Sequence, residues 1–215
     1  MRAYQKGLAA ERSGKLPDAS KDFAKAVEIY PKYVYAWFQL GLVLQKQHLN
    51  DQARDAFRQA ANLDPKFLLP FMELASLAFA EKNWPEVLKF TGHILELDPV
   101  NQTNVTGYIL DLDPLNCSEA YFYDAVAHYE LHQIDQAEKS ALKAKHVDLL
   151  TRFPQLHVLL AEIFAQKQNY PEAIDELQTY LALVPTASEA DYLRQKLAKL
   201  EKLNDGTAAG DKVQQ

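Results

Sequence analysis

Apolar residues recur along much of the chain at the spacing of amphipathic helices, and each apolar run is followed by a short polar turn. Residues 34–47 give the clearest example, because their apolar positions fall three and four apart and therefore share one helical face. A polar turn at residues 48–50 follows, and a second apolar face then extends to Asp64. The apolar positions of the whole segment are Trp37, Leu40, Gly41, Leu44, Ala53, Phe57 and Ala60. The pattern predicts an antiparallel pair of helices, a helical hairpin.

This hairpin is repeated, and prolines mark its period. Pro31, Pro65 and Pro99 are 34 residues apart, and each follows the predicted end of a second helix, because proline disfavours helix in the residue before it. At this period the chain divides into five copies, near residues 1–33, 34–67, 68–99, 118–153 and 154–186. Small residues recur where paired helices must approach closely: Gly7, Gly41, Ala75, Ala125 and Ala161 on first helices, and Ala19, Ala53, Ala137 and Ala173 on second helices.

The second copy resembles the tetratricopeptide repeat (TPR). Eight of its positions, from Trp37 to Pro65, fall in register with the family pattern, which is broken only at Leu44, where the family prefers tyrosine. The fourth copy fits least well, because Leu149 stands in the place of its closing proline. The resemblance implies an all-α fold, a right-handed α-solenoid of about five TPR helix-turn-helix repeats.

Two segments after the repeats are predicted separately. Residues 187–203 read as a C-terminal capping helix, because their apolar positions form one stripe with Lys and Glu opposite. Residues 204–215 have the composition of a disordered tail.

Residues 100–117 form an insertion that carries a duplicated helix-end sequence. The segment from Thr91 to Asn101 recurs from Thr106 to Asn116 with eight of eleven positions identical. A duplication of one helix end accounts for this identity, and the alternative is a remnant of a lost repeat. We expect the first copy to dock as the end of the third repeat, because it continues the helix that Pro85 opens.

The TPR resemblance also implies a function. Stacked hairpins leave their first helices to line a concave groove, and here the groove positions are mainly apolar or aromatic. By analogy they are Tyr4, Leu8, Tyr35, Phe38, Leu42, Met72, Phe79, Phe122, Val126, Tyr129 and Val158. The resemblance therefore predicts a non-catalytic protein–protein interaction scaffold that binds a peptide or partner helix in this groove. Two alternatives stay open: individual residues of the set pack between repeats, or the groove serves self-association in a homo-oligomer or a larger chain.

One well-known ligand class of the family is disfavoured. TPR proteins that hold the acidic tails of chaperones present Lys and Asn at groove positions, where they clamp carboxylates. Here those positions carry Tyr4, Phe38, Met72, Phe122 and Val158. A carboxylate-clamp ligand is therefore not expected, and a protein or peptide ligand bound through apolar anchors is.

Composition and net charge limit the kinds of partner and the kinds of covalent link that the chain can have. A net charge of −6 over 215 residues argues against a nucleic-acid partner, and no apolar run approaches the length of about 20 residues that membrane insertion requires. Cys117 is the one cysteine of the chain, so an internal disulfide is excluded. The cytoplasm is the default location, with the periplasm or secretion as alternatives if an N-terminal signal was removed.

No catalytic motif is present, and no cofactor is expected. The sequence contains neither a glycine-rich phosphate loop nor a nucleophile elbow. The best metal candidate is the pair His128 and His132, four apart on a predicted helix with Glu130 between them, but no third ligand is indicated. We therefore expect no metal site, and a metal-dependent enzyme built around His128 is the weakest alternative. His157 has no partner in the sequence pattern and is predicted at a surface or a helix end.

Overall fold

The computed structural model describes residues 1–97, 114–147 and 153–211, and within these ranges eleven α-helices and no strand are found. The predicted all-α class is therefore confirmed. The chain divides into two compact units, residues 1–112 and residues 113–215. We refer to them as unit 1 and unit 2.

Unit 1 consists of three helical hairpins. Their helices are α1 (Arg2–Arg12), α2 (Leu16–Ile29), α3 (Val34–Lys46), α4 (Asn50–Leu63), α5 (Leu69–Ala80) and α6 (Trp84–Glu96). Each odd-numbered helix packs on the helix that follows it, and α2 and α4 also pack on the first helix of the next hairpin. This is the connectivity that the repeating apolar faces predict.

Unit 2 contains two further hairpins and a long last helix. Its helices are α7 (Pro114–Glu130), α8 (Ile134–Val147), α9 (Gln155–Gln166), α10 (Tyr170–Leu183) and α11 (Ala190–Asp211). The predicted capping helix, residues 187–203, lies mostly within α11, which packs on α10. Disorder is expected from residue 204, but α11 continues to Asp211. Helix propagation adds a hydrogen bond for each residue fixed, although the glycines at 206 and 210 disfavour helix, so residue propensities do not explain this extension.

The inserted segment is described only at its edges. The first copy of the duplicated sequence forms the end of α6, where Thr91 and Ile94 are fully buried. Residues 98–113, which include most of the second copy, lie outside the described residues. Residues 114–117 of the predicted insertion are the first turn of α7.

All five hairpins turn in the same way. After the first helix ends, one residue adopts a left-handed conformation, and the amide of the next residue donates to a carbonyl five residues earlier, as in a Schellman motif. Leu49 N–H, for example, lies 3.0 Å from the carbonyl oxygen of Leu44. The left-handed residues are Gly14, His48, Lys82, His132 and Gln168, with φ between 56° and 71°. Only the first is glycine, so four turns hold a strained backbone.

Glycine is required where a first helix crosses a phenylalanine of its partner helix. A Cβ added to Gly41 would lie 2.4 Å from the Phe57 ring, and one added to Gly7 would lie 2.7 Å from the Phe23 ring. Both rings are fully buried. The other three hairpins have alanine in place of this glycine, and the phenylalanine position then carries a smaller residue, Thr91, Ala141 or Leu177. The two positions are therefore matched in volume in each hairpin.

Candidate interaction surface

The predicted groove residues of unit 1 differ widely in exposure. Tyr35 leaves 53% of its surface exposed, whereas Phe38 leaves 8% and Met72 leaves 7%. The other four of the set, Tyr4, Leu8, Leu42 and Phe79, are half-buried. Phe38 and Met72 therefore pack in the interior of the stack, which is one of the alternatives that the sequence leaves open.

An aromatic ring at the end of a repeat covers a groove ring in three repeats. Ring centroids lie 4.9 Å apart for Tyr4 and Tyr33, 5.1 Å apart for Phe38 and Phe67, and 5.4 Å apart for Phe122 and Phe153. Tyr33, Phe67 and Phe153 each stand immediately before the next repeat, so the three contacts are equivalent. We call these contacts the ring pairs.

The ring pairs change the interpretation of the groove. A ring that packs against another ring of its own repeat contributes about 0.5–1.5 kcal/mol to the hairpin beyond its burial. The sequence analysis missed Tyr33, Phe67 and Phe153. Their signal is an aromatic residue in the last position of a repeat, which the 34-residue spacing of residues 33 and 67 makes visible.

Polar contacts join successive first helices within each unit. In unit 1, Lys46 Nζ lies 2.7 Å from Glu11 Oε1, which connects α3 to α1. In unit 2, Gln166 Nε2 donates to the Tyr129 hydroxyl at 2.9 Å, and Lys196 pairs with Glu162. Glu11 and Tyr129 hold the same position in their repeats, and Lys46 and Gln166 also hold the same position in theirs. The two contacts are therefore equivalent.

The predicted groove residues of unit 2 are more fully engaged than those of unit 1. Phe122 stacks on Phe153 with an angle of 12° between the rings, and Tyr129 is bonded to Gln166. Burial, together with the charge of Glu162, raises the pKa of Tyr129. Val126 and Val158 are half-buried. No large apolar member of the predicted set in unit 2 is exposed to the degree of Tyr35.

The paired histidines of the sequence do not share a helical face. Helix α7 ends at Glu130, and His132 lies in the turn beyond it with φ of 59°. His128 instead contacts Gln133, with 2.6 Å between Nδ1 and Oε1, and its Nε2 lies 3.5 Å from Asp124 Oδ2. Over the described ranges, no group of three or more His, Cys, Asp or Glu side chains is placed to hold a metal ion.

His157 lies in the first turn of α9, at a helix end as expected, but it is buried and not on a surface. Its Nδ1 lies 2.6 Å from Glu176 Oε2, and the other oxygen of this carboxylate accepts a hydrogen bond from Lys145 Nζ at 2.6 Å. Burial acts to raise the pKa of the Glu176 carboxyl, but the hydrogen bonds from His157 and Lys145 outweigh it and leave the pKa below its usual value. This cluster connects α8 to the α9–α10 hairpin.

None of the described helices is both long and apolar enough to cross a bilayer. The chain is thus a set of stacked helical hairpins with an apolar face along the first helices of unit 1. This architecture defines the class of helical-repeat proteins.

Family comparison identifies the repeat. A model of the tetratricopeptide repeat matches residues 4–66 and 124–188, which is more than half of the chain. The chain therefore belongs to the TPR family, as its sequence resemblance indicates. Proteins of this family generally mediate protein–protein interaction and assembly and are typically non-catalytic. Among curated proteins, none has a sequence that significantly matches this chain.

Solved structures share the fold at low sequence identity. YrrB, a TPR protein with an unusual peptide-binding site, is 16% identical over 90% of each chain, with a TM-score of 0.71. The pilF protein of Pseudomonas aeruginosa is 17% identical, covers 97% of this chain and 86% of its own, and has a TM-score of 0.70. MamA is 15% identical over 88% of this chain and 93% of its own, with a TM-score of 0.68.

Proposed function

We propose that this protein is a non-catalytic interaction scaffold that binds an extended apolar peptide across the first helices of unit 1. Its anchors are Tyr35, Leu8 and Leu42, which we call the groove face. The exposure of Tyr35 carries the proposal, because this 53% exposed tyrosine shares one face of α3 with Leu42 and so belongs to an apolar patch, which is a feature of recognition surfaces.

The geometry of α3 supports this assignment. Tyr35 and Leu42 are seven residues apart on one helix and therefore lie on the same side of it, with Phe38 between them. Phe38 is fixed from below by Phe57 and Phe67, with ring centroids at 5.9 Å and 5.1 Å. The anchors therefore project from a rigid base, which reduces the entropy lost when a ligand binds.

Unit 1 is favoured over unit 2 because its aromatic anchor is more exposed: the Tyr35 ring lies 5.2 Å from the Phe67 ring, between centroids, but still leaves 53% of the residue's surface exposed. The aromatic candidates of unit 2, Phe122 and Tyr129, already contact Phe153 and Gln166. A ligand on that face would have to compete with these contacts. YrrB gives the proposal a precedent in the same fold, since that protein has a peptide-binding site.

The experiment starts from a random peptide library that is displayed on phage and selected on the wild-type chain. The dissociation constant of a selected synthetic peptide is then measured by fluorescence anisotropy for the wild type and for Tyr35→Ala. We expect Tyr35→Ala to weaken binding by about tenfold or more, since aromatic anchors dominate such interfaces.

Tyr192→Ala is the matched control, because Tyr192 is 63% exposed, lies on α11 in unit 2 and is not part of the groove face. Equal affinity of the wild type and Tyr35→Ala would contradict the proposal. Phe38→Ala is unsuitable as a probe, because Phe38 is buried and its truncation would cost about 3–5 kcal/mol of stability. Light scattering of the chain alone tests the alternative: a dimer that Tyr35→Ala dissociates would assign the face to self-association.

A further inference from the structure

An apolar depression of about 730 Å³ lies where the first hairpin closes. Its lining residues are Met1, Ile29, Tyr30, Pro31, Lys32 and Tyr33, which come from the start of α1, the end of α2 and the turn to α3. Ile29 leaves 52% of its surface exposed and Tyr30 leaves 53%. We call this surface the closing-turn depression. Its volume falls within the range of about 300–1,000 Å³ that is typical of small-molecule pockets, which leaves room for an apolar side chain together with its neighbours.

The exposed ring of Tyr30 is not needed to close the hairpin. In the second hairpin the equivalent turn is Asp64-Pro65, and the Asp64 carboxylate accepts a hydrogen bond from Lys66 N–H at 3.0 Å. Tyr30 precedes Pro31 in the same way but cannot make this hydrogen bond. The first hairpin thus has a half-exposed apolar ring where the second has a residue that stabilises the turn.

The closing-turn depression is linked to the groove face through Tyr4, which lies on α1 four residues before Leu8 and therefore on the same side of that helix. Tyr33 lines the depression, and its ring lies 4.9 Å from the ring of Tyr4 on α1, between centroids. Both surfaces belong to unit 1. An extended segment that crosses the groove face can therefore continue past the Tyr4–Tyr33 ring pair into the depression.

Lys32 gives the closing-turn depression a positive charge, which favours a ligand with a negative charge. It is the one charged side chain of the lining set, and within the described residues its ammonium group has no ion-pair partner. A carboxylate placed beside an apolar side chain of the ligand would pair with it.

We propose that the closing-turn depression is a second anchor site for the same extended peptide, and that it takes an apolar side chain flanked by an acidic residue. The inference depends on the proposed peptide binding by the groove face. It extends the site past the first helices of unit 1 and specifies the chemistry of one end of the ligand.

The test uses the selected peptide and a chain with no residues added before Met1. Tyr30→Asp removes the ring and installs the Asp-Pro turn of the second hairpin, so we expect an unchanged or higher melting temperature. Its dissociation constant for the peptide should rise about tenfold. Tyr192→Asp, the same chemical change on α11, should leave binding unchanged.

Lys32→Glu sharpens the charge requirement. It should weaken binding at low salt, and the difference from the wild type should shrink in about 1 M salt, where charges are screened over about 3 Å. An acidic residue should recur in the selected peptides, and its replacement by the amide should remove the effect of Lys32→Glu.

The outcomes separate this inference from the proposed function. If Tyr35→Ala weakens binding while Tyr30→Asp does not, the depression is not part of the site and the inference fails alone. If neither variant weakens binding, both fail. A chain that dimerises in light scattering and becomes monomeric with Tyr30→Asp would assign the depression to a second copy and would also overturn the inference.

Discussion

The two units have the same hairpin architecture but different interiors. Where unit 1 has Trp37 and Phe71, unit 2 has Tyr121 and His157, and where unit 1 has Leu40 and Leu74, unit 2 has Asp124 and Leu160.

Buried polar side chains follow the same division. Among the described residues, the buried charged and polar side chains of unit 2 are Asp124, Ser140, His157 and Glu176, whereas unit 1 has Thr91. The fold therefore accepts buried ionisable groups in place of apolar ones, provided that they are paired.

Because their buried polar side chains differ, the two units should respond differently to mutation and to acid. The Asp124 carboxylate accepts a hydrogen bond from Ser140 at 2.6 Å, and Glu176 is held by His157 and Lys145. The stability of unit 2 therefore includes a contribution from a buried ionised carboxylate, Glu176, that has no counterpart among the described residues of unit 1. The chain also provides a reporter for the comparison, because both of its tryptophans, Trp37 and Trp84, lie in unit 1.

The largest expected effect comes from breaking the buried cluster of unit 2. Glu176→Ala removes the partner of His157 and Lys145, so we expect unit 2 to lose about 3 kcal/mol of unfolding free energy. Urea unfolding followed by circular dichroism should show an earlier transition, while tryptophan fluorescence should keep the wild-type midpoint. Glu172→Ala is the control, since Glu172 is exposed on the same helix. Coincident shifts in both signals would contradict the separation of the two units.

Acid should act on unit 2 before unit 1. The pKa of Glu176 is lowered in the folded state, so its contribution is complete above the unfolded value near 4.3 and is lost as the pH falls through the folded pKa. We expect acid to lower the unfolding free energy of unit 2 by less than Glu176→Ala does at neutral pH. As the pH falls, circular dichroism should change before tryptophan fluorescence does. Glu176→Gln should remove this acid step. A step that persists in the variant would show that other carboxyl groups cause it.

The smallest effect concerns the hairpin turns, which are common to both units. Lys82 adopts φ of 56°, a conformation that glycine reaches without strain. We expect Lys82→Gly to stabilise unit 1 by about 0.5–1 kcal/mol, and Lys82→Ala to be close to neutral. Trp84 lies two residues away, so fluorescence in urea measures both variants. A destabilised Lys82→Gly variant would show that the entropy of the unfolded glycine outweighs the relief of strain.

Much of the fold was predictable because its signals are periodic. The closing prolines and the small residues at helix crossings recur at fixed intervals, and they give the hairpins, their order and the family. The end of the third repeat could also be predicted from the sequence, since Pro85 opens a helix that continues through Thr91. The length of α11 could not be predicted, because composition alone does not fix where an exposed helix ends.

The candidate site was less predictable, because exposure depends on partners distant in sequence. Phe38 and Tyr35 both occupy groove positions and both contact the Phe67 ring, but only the structure shows that the first is buried and the second is left exposed. The burial of His157 depends in the same way on Glu176, which is 19 residues later. A pattern of apolar spacing contains no information about such pairs.

The carbonyl oxygens of three closing prolines each accept a hydrogen bond from a side chain. Trp37 Nε1 donates to Pro31 at 2.8 Å, His93 Nε2 to Pro65 at 2.8 Å, and Arg194 Nη2 to Pro185 at 3.0 Å. The donors differ in residue type and stand at different places in their helices. The carbonyl that closes a repeat can thus be satisfied by donors of different chemistry and from different parts of the chain.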